Sequence, residues 1–155
     1  MKNITYRMIE GVPDKESLRK LSAINQMIFG FGEKTDHLKE LLESRRKPFL
    51  CFALDNEQVV GYKIGFQERR YYFESWRGGV LESHRKQGIA QELMKIQHEW
   101  CRKEGFRIVT TITDNQNNAM LIANLRGGFT IVGSYLDRQK HVKILLQKWL
   151  VNPIE

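Results

Sequence analysis

The chain is poor in several things that would mark a specialised class. Two cysteines, Cys51 and Cys101, occur in 155 residues. That is too few and too widely spaced for a disulfide framework, and buried, inert thiols are expected. Three prolines and 12 glycines exclude collagen-like and proline-rich chains. No apolar run approaches the roughly 20 residues needed to span a bilayer. The opening Met-Lys-Asn-Ile-Thr-Tyr-Arg is charged at position 7 and lacks the apolar stretch of a secretory leader. The four histidines, His37, His84, His98 and His141, have no metal-ligand spacing with the cysteines, so no metal is expected. These absences point to a reduced, soluble, cytoplasmic protein with no membrane partner.

What remains is an ordinary globular composition, 41% hydrophobic and 28% charged, in a length that suits a single domain spanning 1–155. The net charge is +7. Residues 1–75 carry 13 basic and 11 acidic side chains, and residues 76–155 carry 12 and 7. The cationic excess therefore sits in the second half, where an anionic partner is to be sought. Nucleic acid is one such partner. However, Trp76, Trp100, Trp149 and Tyr71-Tyr72-Phe73 read as core and substrate-lip aromatics rather than base-stacking platforms. Nucleic-acid binding therefore ranks below a phosphorylated cosubstrate.

Periodicity lays out the elements. Ile4–Ile9 reads as a strand. Pro13 opens a helix with a Leu18, Leu21, Ile24, Ile28 stripe that ends before Gly30. Thr35 is the expected cap of a second helix on Leu38, Leu41 and Leu42, stopped by Arg45-Arg46-Lys47-Pro48. Phe49–Leu54, Val59–Phe66 and Tyr71–Leu81 form an antiparallel meander, with Gln67–Arg70 as a charged loop tip. The strongest helix has Ile89, Leu93, Ile96 and Trp100 on one face and closes at Gly105. Arg107–Thr113 is a strand reached through that helix, so it should run parallel to Tyr71–Leu81. A helix over Asn118–Arg126 and a hairpin of Phe129–Leu136 with Val142–Trp149 complete the chain. The order β-α-α-β-β-β-α-β-α-β-β predicts an α/β (α+β) fold, a mixed sheet of about seven strands with helices on both faces.

The chemistry centres on Arg85-Lys86-Gln87-Gly88-Ile89-Ala90. The first N–H groups of the following helix have no intrahelical partner, and the helix dipole is positive there. Gly88 lets backbone approach a ligand, Ala90 keeps the first turn narrow, and Arg85 and Lys86 add charge. Such a group suits a diphosphate; a basic turn that merely starts a helix is the competing reading.

The stretch Val80–Ala90 resembles the central signature of the GNAT superfamily of acyl-CoA-dependent N-acyltransferases. That signature is Gln or Arg, two residues, Gly, one residue, then Gly or Ala, with an apolar strand residue five positions earlier. Arg85, Gly88, Ala90 and Val80 fill these places. Asn115–Phe129 resembles the family's next strand-to-helix segment, with Asn117, Met120 and Gly128-Phe129 in place. The resemblance implies a splayed central parallel pair and acetyl-CoA as cosubstrate. It implies that the loop from Arg85 through Lys86, Gln87, Gly88 and Ile89 to Ala90 holds the pyrophosphate. The backbone of Gly79, Val80 and Leu81 would pair with the pantetheine arm, and Asn117 would face it. The acceptor would be a small-molecule or peptide amine, in a monomer or homodimer.

For catalysis, a protonated amine needs a base, and its attack on a thioester builds an oxyanion that needs donors. Glu74 is the expected base, six residues before Val80 and on the same face unless Gly78-Gly79 bulges the strand. Glu68 and Glu82 are weaker candidates. The Leu81 N–H is the expected oxyanion donor. The family's common acid tyrosine falls at Asn124, which cannot act as an acid, so Tyr135, His84 or water would substitute. Glu33, Asp36, Glu40 and Glu43 either favour a cationic acceptor or form no more than an exposed helix face. The alternative on the same fold is a non-catalytic acyl-CoA-binding module.

Overall fold

A computed structural model describes residues 3–152. Its elements follow in the predicted order: β1 (Ile4–Glu10), α1 (Lys15–Phe29), α2 (Thr35–Glu43), β2 (Arg46–Asp55), β3 (Gln58–Arg69) and β4 (Tyr72–Val80). A 3-10 turn at Glu82–His84 leads to α3 (Ile89–Lys103), then β5 (Ile108–Asp114), α4 (Asn118–Arg126), β6 (Thr130–Leu136) and β7 (Val142–Trp149). The seven strands form one mixed sheet ordered β1-β2-β3-β4-β5-β7-β6. Among the described residues, only β4 and β5 run parallel.

Local chemistry explains the helices. Asp14 caps α1 by accepting a bond from the Ser17 N–H at 2.8 Å, and Gly30 ends the helix in the left-handed region. Lys34, not Thr35, is the cap residue of α2, and it makes no side-chain capping bond. Leu18, Leu21 and Ile24 of α1 and Leu38 and Leu42 of α2 are buried. Burying each such side chain stabilises the fold by roughly 1.5–3 kcal/mol. These two helices cover one face of the β1–β4 half: Ile28 and Phe29 approach Gly79, and Tyr62 bonds Asn25.

Helix α3 covers the opposite face. Trp100 stacks on Phe49 with ring centroids 4.4 Å apart and meets Phe73 edge-on at 5.5 Å. Ile89 packs against Gly61 and Val80 at the other end of the helix. Both cysteines are buried. Burial pushes the Cys51 thiol up to about 12 and raises Cys101 as well, so both are inert.

Two boundaries and one register differ from expectation. Strand β2 begins at Arg46, inside the basic run that ends α2. Strand β3 continues through Gln67 to Arg69, so the expected loop tip shrinks to a turn in which Tyr71 has φ 70°. The third difference is a bulge. The register passes from Phe66↔Glu74 and Gly65↔Ser75 to Ile64↔Arg77, leaving Trp76 as an extra residue. Gly65 permits it, since a Cβ there would lie 2.2 Å from the Glu74 carbonyl oxygen.

Candidate functional site

The parallel pair separates. Strands β4 and β5 are in register at Tyr72↔Ile108, Phe73↔Val109 and Glu74↔Thr110, and there the pairing ends. Just beyond, the Thr111 hydroxyl donates to the Ser75 carbonyl at 3.0 Å, so a side chain spans the first widening. From Trp76 to Val80 one edge of β4 faces a gap.

Glu74 stands at the vertex, half-buried. Burial raises its carboxyl above the usual range, the Glu68 carboxylate raises it further, and Arg45 pulls the other way. Glu68 lies in the β3–β4 irregularity, where the Thr110 hydroxyl donates to it at 2.9 Å. Both carboxylates line a pocket of about 200 Å³ whose remaining wall includes Ile112, Val132, Leu145 and Gln147. A larger open depression of about 320 Å³ sits at the β1–α1 corner. Its carboxylates are already engaged: Asp14 caps α1 and Glu16 pairs with Lys20.

The bulge at Trp76 corrects one expectation. Glu74 sits opposite Phe66, whose ring meets Trp76 and the Arg45 guanidinium, on the α1–α2 face. Val80 sits opposite Gly61 beside Ile89, on the α3 face. One extra residue flips the alternation, so the two do not share a face, and the cause is at Ser75–Arg77 rather than at Gly78-Gly79.

At the far end of the gap, Arg85, Lys86, Gln87 and Gly88 are all exposed. Gly88 caps α3 in the left-handed region (φ 80°, ψ 6°) with no side-chain capping bond. A Cβ built on Gly88 would meet nothing within 4 Å. Lys86 is also left-handed, at φ 61°. The helix start is thus uncovered, cationic and open to an anion. Ala90, in the first turn, is exposed, and Ile89 is buried.

The Leu81 N–H does not serve as expected: it donates to the Val60 carbonyl at 2.8 Å, toward β3. Hydrogen-bonded and non-hydrogen-bonded pairs alternate along an antiparallel ladder. The Val80↔Gly61 and Gly78↔Lys63 pairs are therefore the non-bonded ones, and the N–H and C=O groups of Gly78 and Val80 point into the gap. Gly79 directs its groups toward β3, like Leu81. The Val80 carbonyl already accepts a bond from Arg85 Nε at 3.2 Å.

Tyr135 is not brought to the vertex. It lies on edge strand β6 opposite Lys143, which pairs with Asp114, whereas Glu74 lies at the level of Thr110. Four residues of strand, about 13 Å, separate those levels, and β7 intervenes between β6 and β5. Asn124 is buried, and its amide donates to the Thr113 hydroxyl at 3.1 Å. Asn117 caps α4 by accepting the Met120 N–H at 3.2 Å, which occupies its side-chain oxygen. Glu82 is exposed on the 3-10 turn, remote from the vertex.

His84, one of the candidate acids, is buried. Its Nδ1 lies 2.7 Å from Ser83 Oγ and its Nε2 lies 2.8 Å from Asp55 Oδ2. This chain ties the basic loop to the β2–β3 turn. Asp55 had no signal in the sequence, being 29 residues from His84. Of the acidic residues at and before α2, Glu33 pairs with Arg77 and Glu43 with Lys39, while Asp36 and Glu40 do not line the pocket that holds Glu68 and Glu74. The carboxylates left facing the pocket are Glu68 and Glu74.

A seven-stranded sheet opened between its parallel strands, helices on both faces, is an architecture found in solved N-acetyltransferases. The fold is similar to that of the ribosomal-protein-S18-alanine N-acetyltransferase from Escherichia coli (TM-score 0.75, 13% identity, covering 94% of this chain and 96% of that one). It is similar to Ard1 from Thermoplasma volcanium (TM-score 0.80, 15% identity, 96% and 99% covered). A chain of the NatC complex bound to Gag peptide and CoA is also similar (TM-score 0.79, 16% identity, 97% and 100% covered). No curated protein matches by sequence. The profile of the acetyltransferase (GNAT) family matches residues 18–125, and the chain belongs to that family.

Proposed function

We propose that this protein is an N-acetyltransferase that moves an acetyl group from acetyl-CoA to a primary amine by direct attack. The observation that carries the reading is the opened β4–β5 pair, with a half-buried carboxylate at its vertex and an uncovered cationic helix start at its other end. The residues present fit the cosubstrate: the space at Gly88 is empty, and the α3 N–H groups lack a cap. The backbone of Arg85–Ala90 would hold the diphosphate, with Lys86 adding charge. Gly78 and Val80 would pair with the pantetheine arm along the open edge of β4, displacing Arg85 from the Val80 carbonyl. Asn117 stands on the opposite lip. That a similar chain is described with CoA and a peptide supports a CoA-type cosubstrate and a small-molecule or peptide amine acceptor.

The cosubstrate supplies an activated carbonyl with a thiol leaving group. Glu74 takes the proton of the incoming ammonium, directly or through water, and its raised carboxyl brings it nearer the optimum for a base at neutral pH. The gap-facing Gly78 N–H, nearer Glu74 than Val80 is, replaces Leu81 as donor to the developing oxyanion, leaving the Gly78 carbonyl and Val80 to the pantetheine arm. Glu68 and Glu74 select a cationic amine in the acceptor pocket. A thiol pKa near ~8.5 makes the leaving group adequate without an acid residue, consistent with Asn124 at the tyrosine position and Tyr135 elsewhere.

A second reading, a non-catalytic acyl-CoA-binding module, is favoured by one observation: Asn124 is buried against Thr113 and offers no acid. Thiol release from acetyl-CoA with a panel of primary amines, alongside thermal shift with CoA, separates the two. Amine-dependent release supports the enzyme. Stabilisation without release supports the binder, and neither response refutes both.

A further inference from the structure

Lys63 lies on β3 directly opposite Gly78 of β4. Its Cγ is 3.4 Å from the position a Cβ on Gly78 would take, so its stem runs over the bare glycine backbone toward β4. A lysine stem reaches about 6 Å from Cα to Nζ, and neighbouring strands lie about 4.8 Å apart. A stem that starts over β3 and crosses Gly78 brings its amine to the open edge of β4, on the α3 face of the gap. Among the described residues no carboxylate pairs with it. Burial alone lowers its ammonium to about 8, which leaves about a tenth of it as free amine at pH 7. The neighbouring His98 is held neutral, its pKa lowered to about 3 by burial and then by Lys148 and Lys63.

We propose that Lys63 is an internal acyl acceptor, a self-acylation site served by the same cleft. The proposal rests on the acetyl-CoA reading above. The free amine attacks the acyl carbonyl, a C–N bond forms and the C–S bond breaks. The electron pair leaves with sulfur, the proton shed by nitrogen ends on that sulfur, and the products are an Nζ amide and free coenzyme A. Gly78 leaves the stem this path: a Cβ there would already touch the Lys63 Cγ at 3.4 Å, and a longer side chain would compete for the same space.

The test is incubation of the full chain with acetyl-CoA and no added amine, read by intact mass and by mapping of modified lysines. Acetylation of Lys63 is expected at least about tenfold faster than at exposed Lys95, because the cleft would hold the thioester beside the Lys63 amine. It should vanish in K63R, which keeps charge and stem, while CoA still raises the melting temperature of that variant. It should also vanish in G88E. The proposal is overturned if the chain is stabilised by CoA yet Lys63 stays unmodified, or if Lys63 reacts equally in G88E, which would mark it as solution chemistry. Absence of any CoA stabilisation overturns the acetyl-CoA reading and this site with it.

Discussion

Replacing Gly88 separates folding from coenzyme binding. Its φ of 80° costs an alanine about 1–2 kcal/mol. No atom lies within 4 Å of the new Cβ, so no clash is added. For a chain of this size that lowers the melting temperature by roughly 2–8 °C. Gly88→Glu pays the same backbone term but gains about 0.3–1 kcal/mol from a carboxylate at the start of α3. Glutamate should therefore be no less stable than alanine, and slightly more stable at low salt. Binding should run in the reverse order. Each charge-assisted bond to the diphosphate that glutamate removes is worth about 1.5–3 kcal/mol, or roughly 10- to 150-fold in affinity. The assay is thermal shift of both variants with and without CoA, where saturation at 100 times the dissociation constant adds ~2.7 kcal/mol to the wild type. If Gly88→Glu bound CoA as tightly as the wild type, the loop assignment would be wrong.

Glu74→Gln should depress the amine-dependent rate at neutral pH, with recovery in alkali where free amine accumulates; a parallel pH profile would remove Glu74 as the base. Glu68 raises the Glu74 carboxyl, so Glu68→Gln should lower it. The acidic limb of kcat/KM must then move to lower pH, because the base form persists further into acid; a limb that moves upward contradicts the electrostatics. Tyr62→Phe strands the buried Asn25, whose Nδ2 already lacks a partner, at a cost of about 1–3 kcal/mol in urea melts. The Tyr62→Phe, Asn25→Leu pair should recover most of that loss. Asp55→Asn loosens the His84 tie to the basic loop, and a loss of about 1.4 kcal/mol there raises the KM for acetyl-CoA about tenfold. An equal fall in kcat with KM unchanged would show that the tie does not serve the coenzyme.

What the residues themselves determined lies within a turn or two of chain. The Asp14 cap, the Gly30 stop, the Leu18–Ile28 stripe, the strand runs and the basic turn before Ile89 are all short-range signals, because helix periodicity and capping depend on neighbours three or four positions away. The motif at Arg85–Ala90 was legible for the same reason. Other features depend on which strand lies beside which. Trp76 is an extra residue only relative to β3, and it turns Glu74 and Val80 to opposite faces. The Leu81 N–H is consumed because β3 lies on that side of β4. Tyr135 is distant because β7 inserts between β5 and β6. Asp55 meets His84, and Lys63 meets Gly78, across separations that no local pattern encodes. Register and strand order arise from long-range pairing and burial, and those decided where the candidate catalytic groups stand.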